Sequence, residues 1–206
     1  MKNIIFDFDG TIADSFDYIL EMFEGWYPDK KHYSRKEIDG LKSMSIPMIA
    51  ETLGINRWKL PFLVIKGRRQ MSRQLDKIEL IKGIDKVIEK LKQNNLNLFI
   101  ASSNSTKNIN EYLKSHNLDI YFSQVHGDIS LFNKSNAIKK ILDKNNLKPE
   151  ETIYVGDEVR DIKAAKKAGI KICSVSYGFN SSELLELQKP DYLVNKSQDI
   201  LKVILS

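Results

Sequence analysis

The sequence lacks any long apolar run. None of its hydrophobic stretches approaches the roughly 20 consecutive residues that a helix needs to cross a bilayer. The first residues already read as a strand, rather than as the basic segment and apolar core of a secretion signal. We therefore expect a cytoplasmic protein without a membrane partner.

Cysteine and histidine are scarce. The single cysteine, Cys173, cannot form an internal disulfide, and its place in an apolar run predicts a buried thiol. The three histidines, His32, His116 and His126, show no spacing typical of metal ligands. We therefore expect neither an internal disulfide nor a metal site built on the histidines.

A concentrated basic surface is also missing, although the net charge is +5 and the pI is about 9.1. Lysines are spread over the predicted helices beside acidic residues, and no basic stripe interleaved with aromatic residues is present. Nucleic acid is therefore not an expected partner.

Short apolar runs, by contrast, recur along the chain with helical patterns between most of them. Strands that alternate with helices predict a Rossmann-like α/β fold with a parallel sheet. The predicted strands are Ile4 to Phe6, Leu96 to Ala101, Ile120 to Val125, Ile153 to Val155, Ile170 to Val175 and Tyr192 to Val194. The clearest predicted helices are Glu111 to His116, Ser135 to Asn145 and Val159 to Ala168.

Residues 13 to 82 depart from this alternation, because no second strand is predicted for nearly ninety residues after the first. Helical patterns separated by breakers occur instead. Ser34 to Glu37 reads as a capping box, Ser45 as a helix cap, and Leu60 to Lys77 as a helix with Gly67 as its weak point. We predict that this inserted segment is a helical domain.

Asp7-Phe8-Asp9-Gly10-Thr11 follows the first predicted strand directly. Ligands bind outside the carboxyl ends of strands in an open α/β sheet, and Gly10 lets the backbone approach an anion. Residues two apart on an extended chain share a side, so Asp7 and Asp9 repel each other unless a cation lies between them. Carboxylate oxygens suit Mg²⁺. The alternative is a strand followed by an ordinary polar turn.

Other polar residues end or follow later strands. Ser102, Ser103 and Asn104 follow the second predicted strand, where hydroxyl and backbone N–H groups can bind phosphate or simply cap a helix. Lys134 precedes a predicted helix, from which it can reach an anion, or it is one more surface lysine. Gly156-Asp157-Glu158-Val159-Arg160-Asp161 is more specific, since it places two acids one helical turn apart after a strand.

These segments, in this order, resemble the haloacid dehalogenase superfamily of phosphatases over essentially the whole chain. The inserted segment is similar to that superfamily's helical cap of the first type, so the resemblance implies a core of residues 1–12 and 83–206 and a cap of residues 13–82. The sequence from Tyr154 to Phe179 resembles phosphoglycolate-phosphatase-like members. In one departure, Ser135 follows Lys134 where many such members have proline.

The resemblance implies a role for each of these residues. Asp7 would be the nucleophile that forms an aspartyl-phosphate, Asp9 the acid and base, and Lys134 a catalytic cation. Mg²⁺ would be held by the Asp7 carboxylate, the Asp9 backbone carbonyl and the Asp157 carboxylate, with Asp161 ordering its water shell or Lys134. The phosphoryl oxygens would be bound by Ser102, the amide of Ser103 or Asn104, Gly10 and Lys134.

The substrate is where the sequence is least specific. The expected partner is a small phosphorylated metabolite, and basic residues of the last cap helix and the loop before it would suit a second anionic group such as the carboxylate of phosphoglycolate. They are Lys59, Lys66, Arg68, Arg69 and Arg73. A solvated basic face is the alternative. A phosphoglucomutase-type phosphotransferase and a catalytically silent phosphate- or partner-binding module also remain open, whereas the second acid, Asp9, argues against a dehalogenase.

Overall fold

The computed structural model describes residues 1–26, 34–44, 48, 51–52, 54–130 and 133–206. Its strands are β1 (Asn3–Phe6), β2 (Ala13–Asp14), β3 (Glu79–Leu80), β4 (Asn97–Ala101), β5 (Phe122–His126), β6 (Thr152–Gly156), β7 (Lys171–Val175) and β8 (Tyr192–Val194). The described α-helices are α1 (Phe16–Trp26), α2 (Arg35–Lys42), α3 (Leu60–Met71), α4 (Ile84–Gln93), α5 (Thr106–Ser115), α6 (Lys134–Lys144), α7 (Val159–Ala168), α8 (Ser182–Glu186) and α9 (Asp199–Leu205).

The six longer strands form one parallel sheet in the order β5-β4-β1-β6-β7-β8. Successive side chains of a strand face opposite sides of the sheet, and both sides are covered by helices. Ile4 and Phe6 pack on one side with residues of α4, α5 and α9, whereas Ile5 packs on the other with residues of α6, α7 and α8. Burial on both faces explains the continuous apolar runs of the strands, and the predicted α/β class with a parallel sheet is confirmed.

The prediction that the inserted segment contains no strand is wrong. β2 and β3, at its two ends, pair antiparallel with Ala13 opposite Leu80 and Asp14 opposite Glu79. Two-residue strands carry too little periodicity to be recognised in a sequence. This pairing holds the beginning and the end of the inserted segment next to each other.

The helix predicted over Leu60 to Lys77 is also shorter in the structure. α3 ends at Met71, and a separate 3₁₀ turn covers Leu75–Lys77. Gly67 does not interrupt α3, and a Cβ added there would lie 3.1 Å from Met22 Cε. Glycine therefore serves close packing of α3 on α1 rather than breaking the helix.

Several local predictions are confirmed with small shifts of boundary. Ser34 and Glu37 form the predicted capping box of α2, and Gly169 ends α7 in the left-handed conformation. The strand predicted from Ile120 begins at Phe122, after a 3₁₀ turn, and the helix predicted from Glu111 begins at Thr106. The cap predicted at Ser45 lies outside the described residues.

Two further features concern the single cysteine and the question of a membrane span. Cys173 is fully buried in β7, and burial raises the pKa of its thiol to about 12. In the described part of the chain, no helix combines the length and apolar character needed to cross a membrane.

Candidate active site

Three polar loops meet at the carboxyl edge of the sheet. β1 lies between β4 and β6, so the loops after these strands are neighbours although they are distant in sequence. Asp7, Ser102 and Asp157 are the first residues after β1, β4 and β6. All three are almost completely buried.

An acidic cluster with one lysine forms the centre of this edge. Asp7, Asp157 and Asp161 each offer a carboxylate oxygen, and these three oxygens lie within 4.8 Å of one another. Lys134, the first residue of α6, donates from Nζ to Asp7 Oδ2 and to Asp161 Oδ1, at 2.6 Å each. The lysine side chain is only 2% exposed. The structure thus joins the first motif, the motif lysine and the last motif in one site.

The carboxylates of the cluster repel one another, so the cluster favours a further positive charge. Burial alone would raise the pKa of Asp7, but the charges of Lys134 and Arg160 hold it below its usual range. Burial and the neighbouring charges of Glu158 and Asp161 raise the pKa of Asp157 well above its usual range. A bound cation relieves such crowding of carboxylates. The all-oxygen donor set therefore fits a hard divalent metal ion.

Asp157 is held by two donors from different parts of the chain. Thr11 Oγ1 donates to Asp157 Oδ1 at 2.8 Å, and the Phe179 backbone N–H donates to Oδ2 at 2.7 Å. Gly10 has a φ of +73°, and a Cβ there would lie 2.2 Å from Asp157 Oδ2 and 2.5 Å from the Phe179 ring. Only glycine fits this close approach of the first loop to the acid.

The Asp9 side chain turns away from the acidic cluster. Its Oδ1 accepts a hydrogen bond from Ser15 Oγ at 2.9 Å, and its Oδ2 accepts one from Asn104 Nδ2 at 3.0 Å. Burial and the negative charge of Asp7 raise the pKa of Asp9 to about 6. A carboxyl with this pKa exchanges protons near neutral pH, which suits an acid and base. The metal ligand that the resemblance implies for Asp9 is its backbone carbonyl, not this carboxylate.

The loop after β4 is tightly ordered. The Asn104 backbone N–H donates to Ser102 Oγ at 3.1 Å, and Asn104 Oδ1 accepts from the Ser105 backbone N–H at 2.8 Å. Ser105 in turn caps α5. Ser103 is half-buried, and its hydroxyl accepts from Arg160 Nη2 at 3.2 Å. Polar groups of this loop thus lie at the start of α5, where an anion is favoured.

A cleft of about 120 Å³ opens from this loop toward the inserted segment. Asp9, Ser103 and Asn104 line its floor, and α1 and α3 supply its apolar walls with Ile19, Met22, Leu63, Val64, Gly67 and Met71. Arg68 is the charged residue that these helices contribute to the lining. It donates to Asp128 Oδ1 at 3.3 Å and to the Ile129 carbonyl at 3.4 Å.

The other basic residues predicted to face the substrate do not line this cleft. Lys66 Nζ lies 4.3 Å from the centre of the Trp26 ring, and the side chains of Lys59 and Arg73 are exposed. Arg69 is exposed as well. Of this basic group, the structure therefore brings Arg68 to the candidate site.

Sequence reasoning gave no role to Arg160 and Asn180. Arg160 lies inside the last motif and spans from Glu158 to Ser103. Asn180 is buried and connects the start of α7 with the carbonyls of Lys42 and Met44. Position within the last motif could have pointed to Arg160, but no local pattern marks Asn180.

Comparison with known proteins gives a consistent assignment. Residues 4–175 match the family model described as haloacid dehalogenase-like hydrolase. The chain is 31% identical to a phosphoglycolate phosphatase from Synechococcus elongatus, over 99% of this chain and 97% of that protein. It is 26% identical to a pyrophosphatase from Halalkalibacterium halodurans, again over 99% and 97%.

Solved structures share the fold. A predicted phosphatase from Clostridium acetobutylicum superposes with a TM-score of 0.82 at 24% identity, over 99% of this chain and 98% of that one. A haloacid dehalogenase-like hydrolase from Streptococcus pneumoniae superposes with a TM-score of 0.80 at 22% identity, over 98% of each chain. From the family match and the full-length relative, the chain belongs to the haloacid dehalogenase-like hydrolases.

Proposed function

We propose that this hydrolase is a Mg²⁺-dependent phosphatase that cleaves a small phosphomonoester through an aspartyl-phosphate on Asp7. The observation that carries the proposal is the environment of Asp7. Its Oδ2 is bound by buried Lys134, and its carboxylate lies beside those of Asp157 and Asp161 at the carboxyl edge of the sheet. Lysine keeps this carboxylate ionised, as a nucleophile must be.

In the first step, an Asp7 oxygen attacks phosphorus and the bond from phosphorus to the ester oxygen breaks. The leaving alkoxide takes a proton from Asp9. In the second step, water attacks phosphorus, gives a proton to Asp9, and releases inorganic phosphate and free Asp7. The pKa of Asp9, raised to about 6, supports both proton transfers.

The metal would be held by the Asp7 and Asp157 carboxylates and the Asp9 backbone carbonyl, with Asp161 orienting Lys134 and the metal's water shell. When bound, Mg²⁺ would supply positive charge to the phosphoryl oxygens. The residues of the chain that we assign to those oxygens are Ser102, the amide of Ser103 or Asn104, Gly10 and Lys134. Fixed donors and charges of this kind supply much of the catalysis in phosphoryl transfer.

We further propose that residues 13–82 form a cap over a core of residues 1–12 and 83–206, and that the cap selects the substrate. Arg68 supports a substrate with a second anionic group, because it is the charged residue that α1 and α3 contribute to the cleft above Asp9. The relative from Synechococcus elongatus is a phosphoglycolate phosphatase, and 2-phosphoglycolate carries such a group. We take it as the first substrate to test.

The test is hydrolysis of p-nitrophenyl phosphate and 2-phosphoglycolate, measured as free phosphate with Mg²⁺ and after EDTA. Asp7→Asn should fold, as judged by circular dichroism, and should lose activity by at least about a hundredfold, because its amide cannot act as the nucleophile. Asp143→Asn, an exposed acid on α6, serves as the control. Retention of more than a few per cent of the activity in Asp7→Asn would contradict the proposal, as would full activity in EDTA.

The same assay separates the alternatives left open by the sequence. A mutase would convert glucose 1-phosphate to an isomeric sugar phosphate rather than release phosphate. A silent binding module would show no turnover with any phosphomonoester, although it would still bind phosphate.

A further inference from the structure

Arg160, the second residue of α7, carries an unused hydrogen-bond donor at the candidate site. Its Nε and Nη2 donate to Glu158 Oε1, at 2.8 and 2.5 Å, and Nη2 also donates to Ser103 Oγ at 3.2 Å. Its Nη1 is buried and has no hydrogen-bond partner among the residues that the structure describes. Nε and Nη2 are therefore held in place by hydrogen bonds, whereas Nη1 has N–H groups that can still donate to a ligand.

An unpaired buried donor costs free energy, and for a charged group the cost is larger than for a neutral one. Lys134, the buried lysine of the site, differs in this respect, since its Nζ contacts two carboxylates. Guanidinium is a planar fork whose several N–H groups match phosphate oxygens. An open nitrogen on a fixed guanidinium is the arrangement expected for an anion ligand that arrives from solution.

The location of Arg160 identifies that ligand. Ser103 belongs to the loop that we assign to the phosphoryl oxygens, and Arg160 joins this loop to the last motif. Glu158 is 6% exposed and keeps the side chain from swinging out to solvent.

We propose that Arg160 is a further substrate-binding residue, whose Nη1 donates to an oxygen of the bound phosphoryl group while Glu158 and Ser103 hold the guanidinium in place. This inference rests on the proposed function, because it assigns a ligand to the same site. The competing explanation is a purely structural bridge between the loop after β4 and the start of α7.

The experiment compares Arg160→Gln with Lys163→Gln, which removes one positive charge from an exposed position of the same helix. Inorganic phosphate is the probe, used in Mg²⁺ buffer as a competitive inhibitor of p-nitrophenyl phosphate hydrolysis and as a thermal stabiliser. Loss of a charged hydrogen bond should raise the Ki of phosphate and the KM by about tenfold or more in Arg160→Gln. Lys163→Gln should stay within about twofold of the wild type.

A second variant guards against misfolding. Arg160→Lys keeps the charge, but one ammonium cannot contact Glu158, Ser103 and a phosphoryl oxygen at once, so phosphate affinity should still fall by about fivefold. A structural bridge predicts lower melting temperatures with Ki and KM unchanged in both variants, and that result would overturn the inference.

The shift of the melting temperature by phosphate measures binding, and hydrolysis of p-nitrophenyl phosphate measures turnover, so the two proposals can fail independently. If the wild type hydrolyses p-nitrophenyl phosphate but phosphate raises the melting temperature equally in the wild type and in Arg160→Gln, this inference is wrong and the proposed function stands. If the wild type has no turnover, yet phosphate stabilises it and not Arg160→Gln, the contact stands and the proposed function is wrong.

Discussion

At the scale of single residues, Asp7 and Asp9 show how neighbouring carboxyls acquire different chemistry. Lys134 contacts Asp7, whose pKa lies below its usual range. Among the described residues, Asp9 accepts its side-chain hydrogen bonds from the neutral groups of Ser15 and Asn104, and burial and the charge of Asp7 raise its pKa to about 6. Pairs whose pKa values are pushed apart in this way can divide the roles of nucleophile and proton donor.

The raised pKa of Asp9 predicts a pH-dependent stability. The folded chain holds this proton up to about pH 6, whereas the unfolded chain releases it near the ordinary pKa of 3.8. Ionisation of Asp9 therefore destabilises the fold as pH rises through this window, and the penalty vanishes below the unfolded pKa. A shift of about two pKa units corresponds to roughly 3 kcal/mol at most.

We therefore expect Asp9→Asn to gain stability relative to the wild type as pH rises from 4.5 to 7, with a constant difference above pH 7. Urea unfolding in EDTA, followed by circular dichroism at several pH values, measures this difference. Asp143→Asn, which changes an exposed acid, is the control and should show no such trend. A difference between Asp9→Asn and the wild type that does not vary with pH would contradict the prediction.

Residue types and their order along the chain identified most of the polar groups that meet at the sheet edge, because parallel strands bring their carboxyl ends together, but they did not identify Arg160. The direction of each side chain could not be predicted in the same way. Asp7 and Asp9 were expected on one side of an extended chain, but Phe8 begins a tight turn in which its carbonyl accepts from the backbone N–H groups of Ile12 and Ala13. The two carboxylates consequently point to different partners.

At the scale of secondary-structure elements, Asn180 joins α2 to α7. Its Nδ2 donates to the carbonyls of Lys42 at 3.3 Å and Met44 at 3.1 Å, and its Oδ1 accepts from the Val159 backbone N–H at 2.9 Å. The Ser181 backbone N–H donates to the same Lys42 carbonyl at 2.9 Å. One buried amide thus contacts both the inserted segment and the helix that carries Asp161.

Two substitutions can separate these contacts. Asn180→Asp keeps an acceptor for Val159 but places a carboxylate against two carbonyls, so it should release the end of α2. Val159→Pro removes the N–H and keeps the amide of Asn180. Proline is favoured at the first position of a helix, and the extended conformation of Glu158, with φ −119° and ψ 153°, suits a residue that precedes proline.

We expect Asn180→Asp to raise KM by about fivefold or more, through loss of the hydrogen bonds from residue 180 to the inserted segment, with little change in the Mg²⁺ concentration that gives half-maximal activity. Val159→Pro should instead raise the Mg²⁺ concentration that gives half-maximal activity and leave KM nearly unchanged, since it changes the start of the helix that bears Asp161. Steady-state kinetics over a matrix of substrate and Mg²⁺ concentrations separate the two effects. Identical behaviour of the two variants would show that Asn180 does not act through separate contacts.

Elements were predictable in proportion to their length. The longer strands and α7 carry strong patterns, and the structure places them within a few residues of the predicted bounds. β2 and β3 escaped detection because two residues show no period, and the end of α3 at Met71 carries no glycine or proline signal. The contacts of Asn180 depend on where α2 lies in space, which no local pattern encodes.

At the scale of the whole molecule, the parallel sheet assembles a site from loops that are far apart in sequence. Asp7 and Asp157 follow adjacent strands, β1 and β6, although they are 150 positions apart in the sequence. Assembly of the site therefore depends on the complete fold, and a ligand that binds the assembled site must stabilise that fold.

This coupling predicts opposite effects of one substitution with and without metal. Asp157 is fully buried, and burial with the charges of Glu158 and Asp161 raises its pKa well above the usual range. Asp157→Asn removes the source of this repulsion and, with its amide turned, can still accept from the Phe179 N–H while Thr11 rotates its hydroxyl. In EDTA at pH 8, the variant should be at least as stable as the wild type.

Addition of Mg²⁺ should make the wild type more stable than Asp157→Asn. Metal that binds the folded wild type alone contributes about 2.7 kcal/mol at one hundred times its Kd, whereas Asp157→Asn has lost a proposed ligand and should gain little. Melting temperatures over a Mg²⁺ titration should therefore rise for the wild type, rise equally for the exposed-acid control Asp143→Asn, and stay nearly flat for Asp157→Asn. Equal rises in melting temperature in all three proteins would contradict the prediction. Mg²⁺ would then bind without the Asp157 carboxylate, so its site would lie elsewhere than at Asp157.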